Sequence, residues 1–329
     1  MNMKRVILAA LVMVLAFSLM PVNAEAASTK PTLSMSKINM PAGGKRQLIL
    51  FDAPEGKKVT WSSSNKKVAA VSKKGKVTAK KLGTAKITAK VNGKKYTCTV
   101  KVIKPNASDV KVLKKIINAQ KKKGAKVSSK MTSSSYEWNS KGRLMGIYWN
   151  NCKLKGSISF AGLKELATVE CGSNQLSKLD VSKNKKLYIL SCGSNKLSKL
   201  DVSKNTKLLL LWCYDNQLSS LNVSKNTKLE MLYCSNNPLN SLNVSKNTKL
   251  VNLTCSDNQL SSLNVSKNTK LEHLFCDNNK LSKLDVSKNT KLKSLDCYNN
   301  KISSLDLTNN KELYYLSCDD TVKVIGYNK

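Results

Sequence analysis

The chain has 329 residues and a formal net charge of +37, from 57 lysine and arginine residues against 20 aspartate and glutamate residues. The basic residues are almost all lysine, whereas proteins that read nucleic acid use arginine for bidentate contacts to bases and phosphates. The composition therefore argues against a nucleic-acid partner, and it favours either a diffuse attraction to anionic polymers or a merely solvated surface.

The first 26 residues have the pattern of a secretory signal peptide. Lys4 and Arg5 precede an apolar run over 6–20, and small residues follow at 24–26. The run is too short to span a bilayer comfortably, and no later segment is apolar enough to do so. The sequence therefore predicts a secreted or cell-surface-associated protein with no transmembrane segment in the mature chain.

Residues 31–103 are predicted to form an all-β domain. Short alternating runs at 58–61, 68–71 and 85–89 are separated by turn signals, and Asn92-Gly93 is a strong hairpin turn. About 70 residues in this pattern favour a small β-sandwich, in which Trp61 belongs to the core.

The motifs of this segment are Trp61-Ser62-Ser63-Ser64-Asn65, Val68-Ala69-Ala70-Val71, Gly75-Lys76-Val77-Thr78-Ala79, Gly83-Thr84-Ala85 and Cys98-Thr99-Val100. They resemble the bacterial immunoglobulin-like group 2 domain. The resemblance implies a bacterial surface or secreted protein, where such domains serve as spacers or adhesive units.

Residues 104–143 are predicted to be a linker and a capping helix. Ser108 is placed to cap a helix over 109–123, in which apolar residues such as Leu113 and Ile117 recur at helical spacing. Because the terminal turn of a repeat array needs a cover, this helix is expected to lie over the first turn.

From residue 144 to 329 the chain repeats every 21 residues. The frame LxxLxCxxNxLxxLxVSxNxx returns around eight cysteines: Cys171, Cys192, Cys213, Cys234, Cys255, Cys276, Cys297 and Cys318. It resembles the leucine-rich repeat, with cysteine in a slot that leucine usually fills. The fold class is thus mainly β: an immunoglobulin-like β-sandwich, one capping helix, and a leucine-rich repeat solenoid with a parallel sheet.

Nine turns are expected, because an irregular first turn aligns Leu144, Ile147, Trp149 and Cys152 with the repeat. The segment from Thr321 onward is predicted to be a short terminal cap.

The cysteine and asparagine columns are predicted to be structural. Thiols in register on parallel strands point the same way, which suits neither a disulfide nor convergence on a metal ion. The cysteines are therefore expected to act as small buried hydrophobes, and no cofactor or metal is predicted. Two asparagine columns, one led by Asn174 and one by Asn184, are expected to satisfy both N–H and C=O groups of the tight turns.

Residues that flank each cysteine on its strand should point outward onto a concave sheet, and none of those columns contains lysine. Aromatic and other apolar residues gather there and are predicted to form one exposed patch. The predicted ligand-binding residues are Ile189, Leu210, Trp212, Tyr214, Met231, Tyr233, His273, Phe275 and Tyr298. The alternative is that these side chains only pack across strands and stabilise the sheet.

Catalysis is not expected. The one histidine, His273, should face away from Cys276, and the carboxylates of Asp277 and Asp296 lie on a sheet without a pocket for glycosidase chemistry. The sequence instead predicts a non-enzymatic protein that binds a protein or a glycan through the concave face. The alternative is a structural wall-associated protein whose lysines retain it on an anionic cell-wall polymer.

Overall fold

The computed structural model describes residues 30–327, so the predicted signal peptide at 1–26 lies outside the described residues. The chain divides after Lys104 into two compact units. Both units are built mainly from β-strands, and the second also contains an α-helix. The predicted fold class is confirmed.

The first unit is a β-sandwich built on short strands. Its strands are β1 (Thr32–Leu33), β2 (Lys37–Pro41), β3 (Lys45–Gln47), β4 (Leu50–Phe51), β5 (Thr60–Ser63), β6 (Ala69–Val71), β7 (Lys76–Ala79), β8 (Gly83–Val91) and β9 (Lys94–Ile103). A four-stranded sheet in the order β2-β9-β8-β5 and a three-stranded sheet in the order β3-β7-β6 enclose an apolar core, and Trp61 packs half-buried against it. Asn92 and Gly93 have φ of 48° and 75°, as the predicted hairpin turn requires.

The second unit begins with the helix α1 (Ala107–Lys121), followed by the strands of the solenoid. These strands are β10 (Tyr136–Trp138), β11 (Leu144–Tyr148), β12 (Lys155–Ser159), β13 (Thr168–Glu170), β14 (Gln175–Asp180), β15 (Ile189–Ser191), β16 (Leu210–Trp212), β17 (Met231–Tyr233), β18 (Asn252–Thr254), β19 (His273–Phe275), β20 (Ser294–Asp296), β21 (Ser304–Asp306), β22 (Tyr315–Ser317) and β23 (Lys323–Ile325).

The helix α1 differs from its prediction in its boundaries and its cap. It begins at Ala107, and the side chain of Asn106, not Ser108, accepts hydrogen bonds from the backbone N–H groups of Ser108 (3.1 Å) and Asp109 (3.2 Å). The buried Asp109 in turn accepts hydrogen bonds from Arg143 Nε and Nη2 (2.8 Å each) and from the Leu144 N–H (2.9 Å). The helix is thereby tied to the first turn of the solenoid, as expected of a cap.

A ten-stranded sheet runs the length of the solenoid. Nine parallel strands, β11, β13, β15 to β20 and β22, stack side by side. Their Cα partners are 21 residues apart, as with Leu211 and Leu232, except between β11 and β13, where they are 22 apart. The nine predicted turns are therefore confirmed. Strand β10 adds an antiparallel edge strand that the repeat pattern did not reveal, since it lies outside the 21-residue frame.

Two smaller parallel pairs lie outside this sheet: β12 with β14, and β21 with β23. The segment predicted to be a terminal cap contains β23, and Val324 and Ile325 in that strand are exposed. The segment therefore extends the stack beside β21. Its Val322 is buried, but Val324 and Ile325 stay uncovered.

The asparagine column led by Asn174 closes the turns in the predicted way. In a middle turn, Asn237 Nδ2 donates to the carbonyl groups of Cys213 (3.1 Å), Cys234 (3.1 Å) and Ser235 (3.0 Å). Its Oδ1 accepts a hydrogen bond from the Leu218 N–H at 3.0 Å. The side chain therefore satisfies both donors and acceptors of the backbone.

In the second column, led by Asn184, the side-chain amides use their Nδ2 group but not their Oδ1 atom. Asn247 Nδ2 donates to the carbonyl groups of Val223 (3.0 Å) and Asn226 (2.9 Å). Its Oδ1 is buried without a hydrogen-bond partner, and the same holds throughout the column. The expectation that this column serves both kinds of backbone group is thus wrong, because its amides bond only to carbonyl groups.

The row of cysteines lies inside the solenoid. Every member from Cys171 to Cys297 is at most 1% exposed, and none is in a disulfide. Burial raises the pKa of the Cys171 and Cys297 thiols to about 12, so they are protonated at neutral pH. The predicted role as small buried hydrophobes is confirmed for this row, while Cys318 in the last turn is only partly buried.

Candidate functional site

The outward side of the ten-stranded sheet is the surface on which the predicted ligand-binding residues lie. Each turn contributes three outward side chains, at three residues before its cysteine, one before it and one after it, because side chains alternate along a strand. We call this surface the sheet face. No lysine lies in its three columns from Thr168 to Asp319.

Three aromatic side chains mark the middle of the sheet face. Trp212 and Tyr233 are Cα partners on β16 and β17, and their rings meet edge to face with centroids 6.1 Å apart. Tyr214 is 37% exposed and its ring lies over Gly193, where an added Cβ would come within 2.7 Å of the ring. We call Trp212, Tyr214 and Tyr233 the aromatic centre.

Three predicted site residues beside the aromatic centre are not exposed. Ile189, Leu210 and Met231 are only 5%, 1% and 5% exposed. They are consecutive Cα partners on β15, β16 and β17, so each stands one strand spacing from the next and covers its flank. The prediction of a single exposed apolar patch is wrong for these residues, which support the aromatic centre from within the same face.

The remaining predicted residues form a separate group. His273 and Phe275 lie on β19, and Tyr298 follows β20 with 54% of its surface exposed. Between them and the aromatic centre lies β18, whose outward residues Asn252 and Thr254 are polar. Burial lowers the pKa of His273, which favours the neutral imidazole. The structure therefore brings the nine predicted residues together in two groups rather than one.

The two carboxylates that the sequence placed on the sheet, Asp277 and Asp296, lie within the second group. Asp277 accepts hydrogen bonds from the Ser256 hydroxyl and from Asn278 Nδ2, the latter at 2.8 Å. Asp296, the Cα partner of Phe275, accepts one from the Tyr298 N–H at 3.2 Å. Burial raises the pKa of Asp296, and the carboxylate of Asp277 raises it further.

Two buried polar atoms near the aromatic centre have no hydrogen-bond partner: Trp212 Nε1 and Ser235 Oγ. Trp212 and Ser235 belong to adjacent turns of the sheet face. A donor left without an acceptor in this position raises the free energy of the unliganded face by about 1–3 kcal/mol.

Lysines are concentrated on other columns of the solenoid. Two rows of exposed lysines run along it, defined here as the lysine rows: Lys183, Lys204, Lys225, Lys246, Lys267 and Lys288, and Lys186, Lys207, Lys228, Lys249, Lys270 and Lys291. In the described residues Lys186 alone among them has a carboxylate partner, Glu165 at 2.7 Å. The solenoid therefore separates an aromatic and acidic sheet face from strongly basic rows.

Other kinds of site were sought in the described part of the chain. No three histidine, cysteine, aspartate or glutamate side chains of residues 30–327 are grouped so that they could hold a metal ion. None of the helices in that range is long and apolar enough to cross a membrane.

Comparison with known proteins identifies the first unit and the type of fold of the second. Residues 32–102 match the bacterial Ig-like domain (group 2), so the chain contains a domain of that family. A plant ice-binding protein of known structure aligns at 20% identity and a TM-score of 0.55, over 68% of this chain and 81% of that one. Its likeness is one of fold.

Two proteins of Listeria monocytogenes are also similar. The functional domain of InlJ, which includes a cysteine ladder, is 32% identical over 53% of this chain, with a TM-score of 0.46. The internalin InlF is 21% identical over 51% of this chain, with a TM-score of 0.44. The alignments span 44% and 56% of those two chains, about half their length. No curated protein matches the chain.

Proposed function

We propose that the protein is a non-enzymatic binding protein, secreted or held at the cell surface, that recognises a protein or a glycan through the concave face of its leucine-rich repeats. The observation that carries this proposal is the aromatic centre. Three aromatic side chains are partly exposed there on an ordered sheet, in columns that contain no lysine although the chain has 57 lysine and arginine residues.

The chemistry of the aromatic centre supports recognition rather than sheet packing alone. Tyrosine and tryptophan supply large contact areas with few rotatable bonds, and they dominate binding hot spots for that reason. Tyr214 is 37% exposed, and the rings of Trp212 and Tyr233 are partly exposed beside it, so a ligand can contact all three. Partly exposed aromatic rings suit stacking against a sugar ring or packing against a peptide.

The arrangement of the sheet face gives no support to catalysis. His273 is on the outward side of β19, whereas Cys276 is fully buried on the inward side with a strongly raised pKa. A buried protonated thiol and an imidazole on opposite sides of a sheet do not form a nucleophile and base pair. We therefore propose that the protein binds its partner without catalysing a reaction.

The lysine rows favour a second candidate function, a structural wall-associated protein retained on an anionic cell-surface polymer. All but one of their twelve lysines lack a carboxylate partner in the described residues, and they repeat once per turn. Rows with such uncompensated charge attract any nearby polyanion, and salt weakens the attraction.

The test compares the purified protein with Trp212→Ser/Tyr233→Thr on arrays of glycans and cell-surface proteins, at about 0.05 M and about 0.5 M salt. Serine and threonine already occupy this column at Ser191 and Thr254, so both replacements suit the fold. We expect binding that survives high salt and falls by about tenfold or more in the variant.

The control is Tyr314→Ser, which removes a 57% exposed tyrosine outside the three columns of the sheet face. Its binding should match that of the unchanged protein. Binding that vanishes in high salt and is equal in all three proteins would refute recognition by the aromatic centre and support retention by the lysine rows.

A further inference from the structure

We propose that the C-terminal turns of the sheet face hold a second subsite, which takes a basic segment of a protein partner against Asp277, Asp296, Phe275 and Tyr298. This inference rests on the proposed function, because it assigns a chemical class to the partner of the same face. It narrows that partner to a protein with lysine or arginine on an extended segment.

The four side chains of this subsite alternate in a checkerboard. Phe275 and Asp296 are Cα partners on β19 and β20, and Asp277 and Tyr298 follow them by two residues on the same face. The ladder continues through the second pair, since the Cys276 N–H donates to the Asp296 carbonyl at 2.8 Å and the Asn278 N–H donates to the Tyr298 carbonyl at 2.9 Å. Each carboxylate thus has an aromatic neighbour along its strand and another across the sheet.

Such a pattern suits a lysine or arginine side chain. A carboxylate neutralises the terminal cation, while an aromatic face attracts the cation and covers the apolar stem. Diagonal positions on adjacent strands are about 7–8 Å apart, close to the spacing of alternate residues in an extended peptide. Asp277 and Asp296 occupy one diagonal, so a segment with basic residues at alternate positions fits both.

The carboxylates of the subsite have no cation of their own. None of the ion pairs among the described residues includes Asp277 or Asp296. Asp257 stands near the same turns, where burial raises its pKa and the carboxylates of Asp277 and Asp215 add to the increase. Asp277 is also held in place by hydrogen bonds from Ser256 and Asn278. Fixed carboxylates that repel one another in this way are stabilised by an added cation.

The rest of the chain makes this surface selective. The net charge of +37 opposes the approach of a basic segment to any part of the chain, and the lysine rows repel it directly. Its favourable charge contacts are therefore limited to the carboxylates of the lysine-free sheet face. A simple metal ion fits less well, because the described residues contain no group of three carboxylate, cysteine or histidine ligands. The complementarity therefore points to an extended basic peptide segment.

The test measures fluorescence anisotropy of a labelled peptide of about ten residues in which arginine alternates with serine. The purified protein is compared with Asp277→Ser/Asp296→Ser, since Ser256 and Ser317 occupy the same columns. The charge-matched control is Asp201→Asn/Asp285→Asn. Both residues are exposed and accept a hydrogen bond from a serine N–H, and at the equivalent position of another turn Asn222 accepts the same bond, so asparagine fits there. Circular dichroism checks that each variant is folded.

We expect the peptide to bind the unchanged protein and the control within about twofold of each other, and the sheet-face variant about tenfold more weakly. An all-serine peptide should not bind. Equal weakening in both variants, or no binding of the arginine peptide, would overturn the proposal, as would binding of a glucosamine oligomer in its place. The Trp212→Ser/Tyr233→Thr comparison would still decide the proposed function, because it removes no charge.

Discussion

The two sides of the same strands are built to different rules. On the inward side the residue is repeated from turn to turn, as with Leu211, Leu232 and Leu253, and all three are fully buried. On the outward side the neighbouring position changes from Trp212 to Tyr233 to Thr254. An inward side chain packs between its own equivalents in the turns before and after, so a change must fit both. An outward side chain has solvent on one side and is free to vary.

This difference separates stability from recognition in one element of structure. Replacing an inward residue should weaken the fold, whereas replacing an outward residue should alter binding with little effect on folding. Repeat proteins suit such a test, because the stability of each turn depends mainly on its own contacts and on those with its neighbours.

The largest effect is expected for Asn237→Ala. It removes a side chain that is 4% exposed and makes four backbone hydrogen bonds, leaving three carbonyl groups and one N–H without that partner. Since each unsatisfied buried group costs about 1–3 kcal/mol, partly relieved by relaxation, we expect a loss of about 3–4 kcal/mol in the free energy of unfolding. Urea denaturation measures it.

The neighbouring residue Asn236 provides the control. It is exposed, and its equivalents Ser173 and Ser194 show that serine suits the same left-handed position, with φ near 53°. Asn236→Ser should change the free energy of unfolding by less than about 0.5 kcal/mol. Equal losses in Asn237→Ala and Asn236→Ser would contradict the division between inward and outward residues.

An intermediate effect is expected for Cys234→Ser. Cys234 is fully buried, and a hydroxyl in that row has apolar neighbours in place of water, so we expect a loss of about 2 kcal/mol in the free energy of unfolding. The same change at Cys318, which is only partly buried in the last turn, should have little effect. A urea midpoint for Cys234→Ser that equals that of Cys318→Ser would show that the row is not a packed interior.

The smallest effect, and one of opposite sign, is expected for Asp296→Ser. The pKa of Asp296 is raised in the folded protein by burial, so its ionised form destabilises the fold at neutral pH. The variant should therefore be more stable by a few tenths of a kcal/mol at pH 7. The gain should disappear as pH falls below the ordinary pKa of an aspartate, because both states are then protonated. Thermal unfolding across this pH range tests the sign, and a variant less stable at pH 7 contradicts it.

The inward half of this design was predictable from the sequence. A fixed 21-residue period places equivalent residues at equivalent sites, so the nine parallel strands, the buried cysteines and the bonding of Asn237 all follow from repetition. Strand β10 did not follow, because Tyr136–Trp138 pairs antiparallel and lies outside the repeat.

The outward half was predictable only in part. That Leu210 and Tyr214 face the same way follows from alternation along the strand, but their 1% and 37% exposure depends on how large side chains of adjacent turns cover one another. The sequence pattern also did not decide which residue caps helix α1. Asn106 and Ser108 are both good N-cap residues, and Asn106 is the one that accepts hydrogen bonds from the free N–H groups.

The single polar strand β18 separates the aromatic centre from the acidic subsite and so fixes the distance between them. Neighbouring strands are about 4.8 Å apart, a spacing set by backbone hydrogen bonding and not by any side chain on the outward face. Duplication or loss of one 21-residue unit between the two subsites would move them apart or together by one strand spacing, while leaving the contacts within each subsite intact. The distance between the two subsites can therefore change in evolution through the number of turns, independently of the side chains that each turn presents.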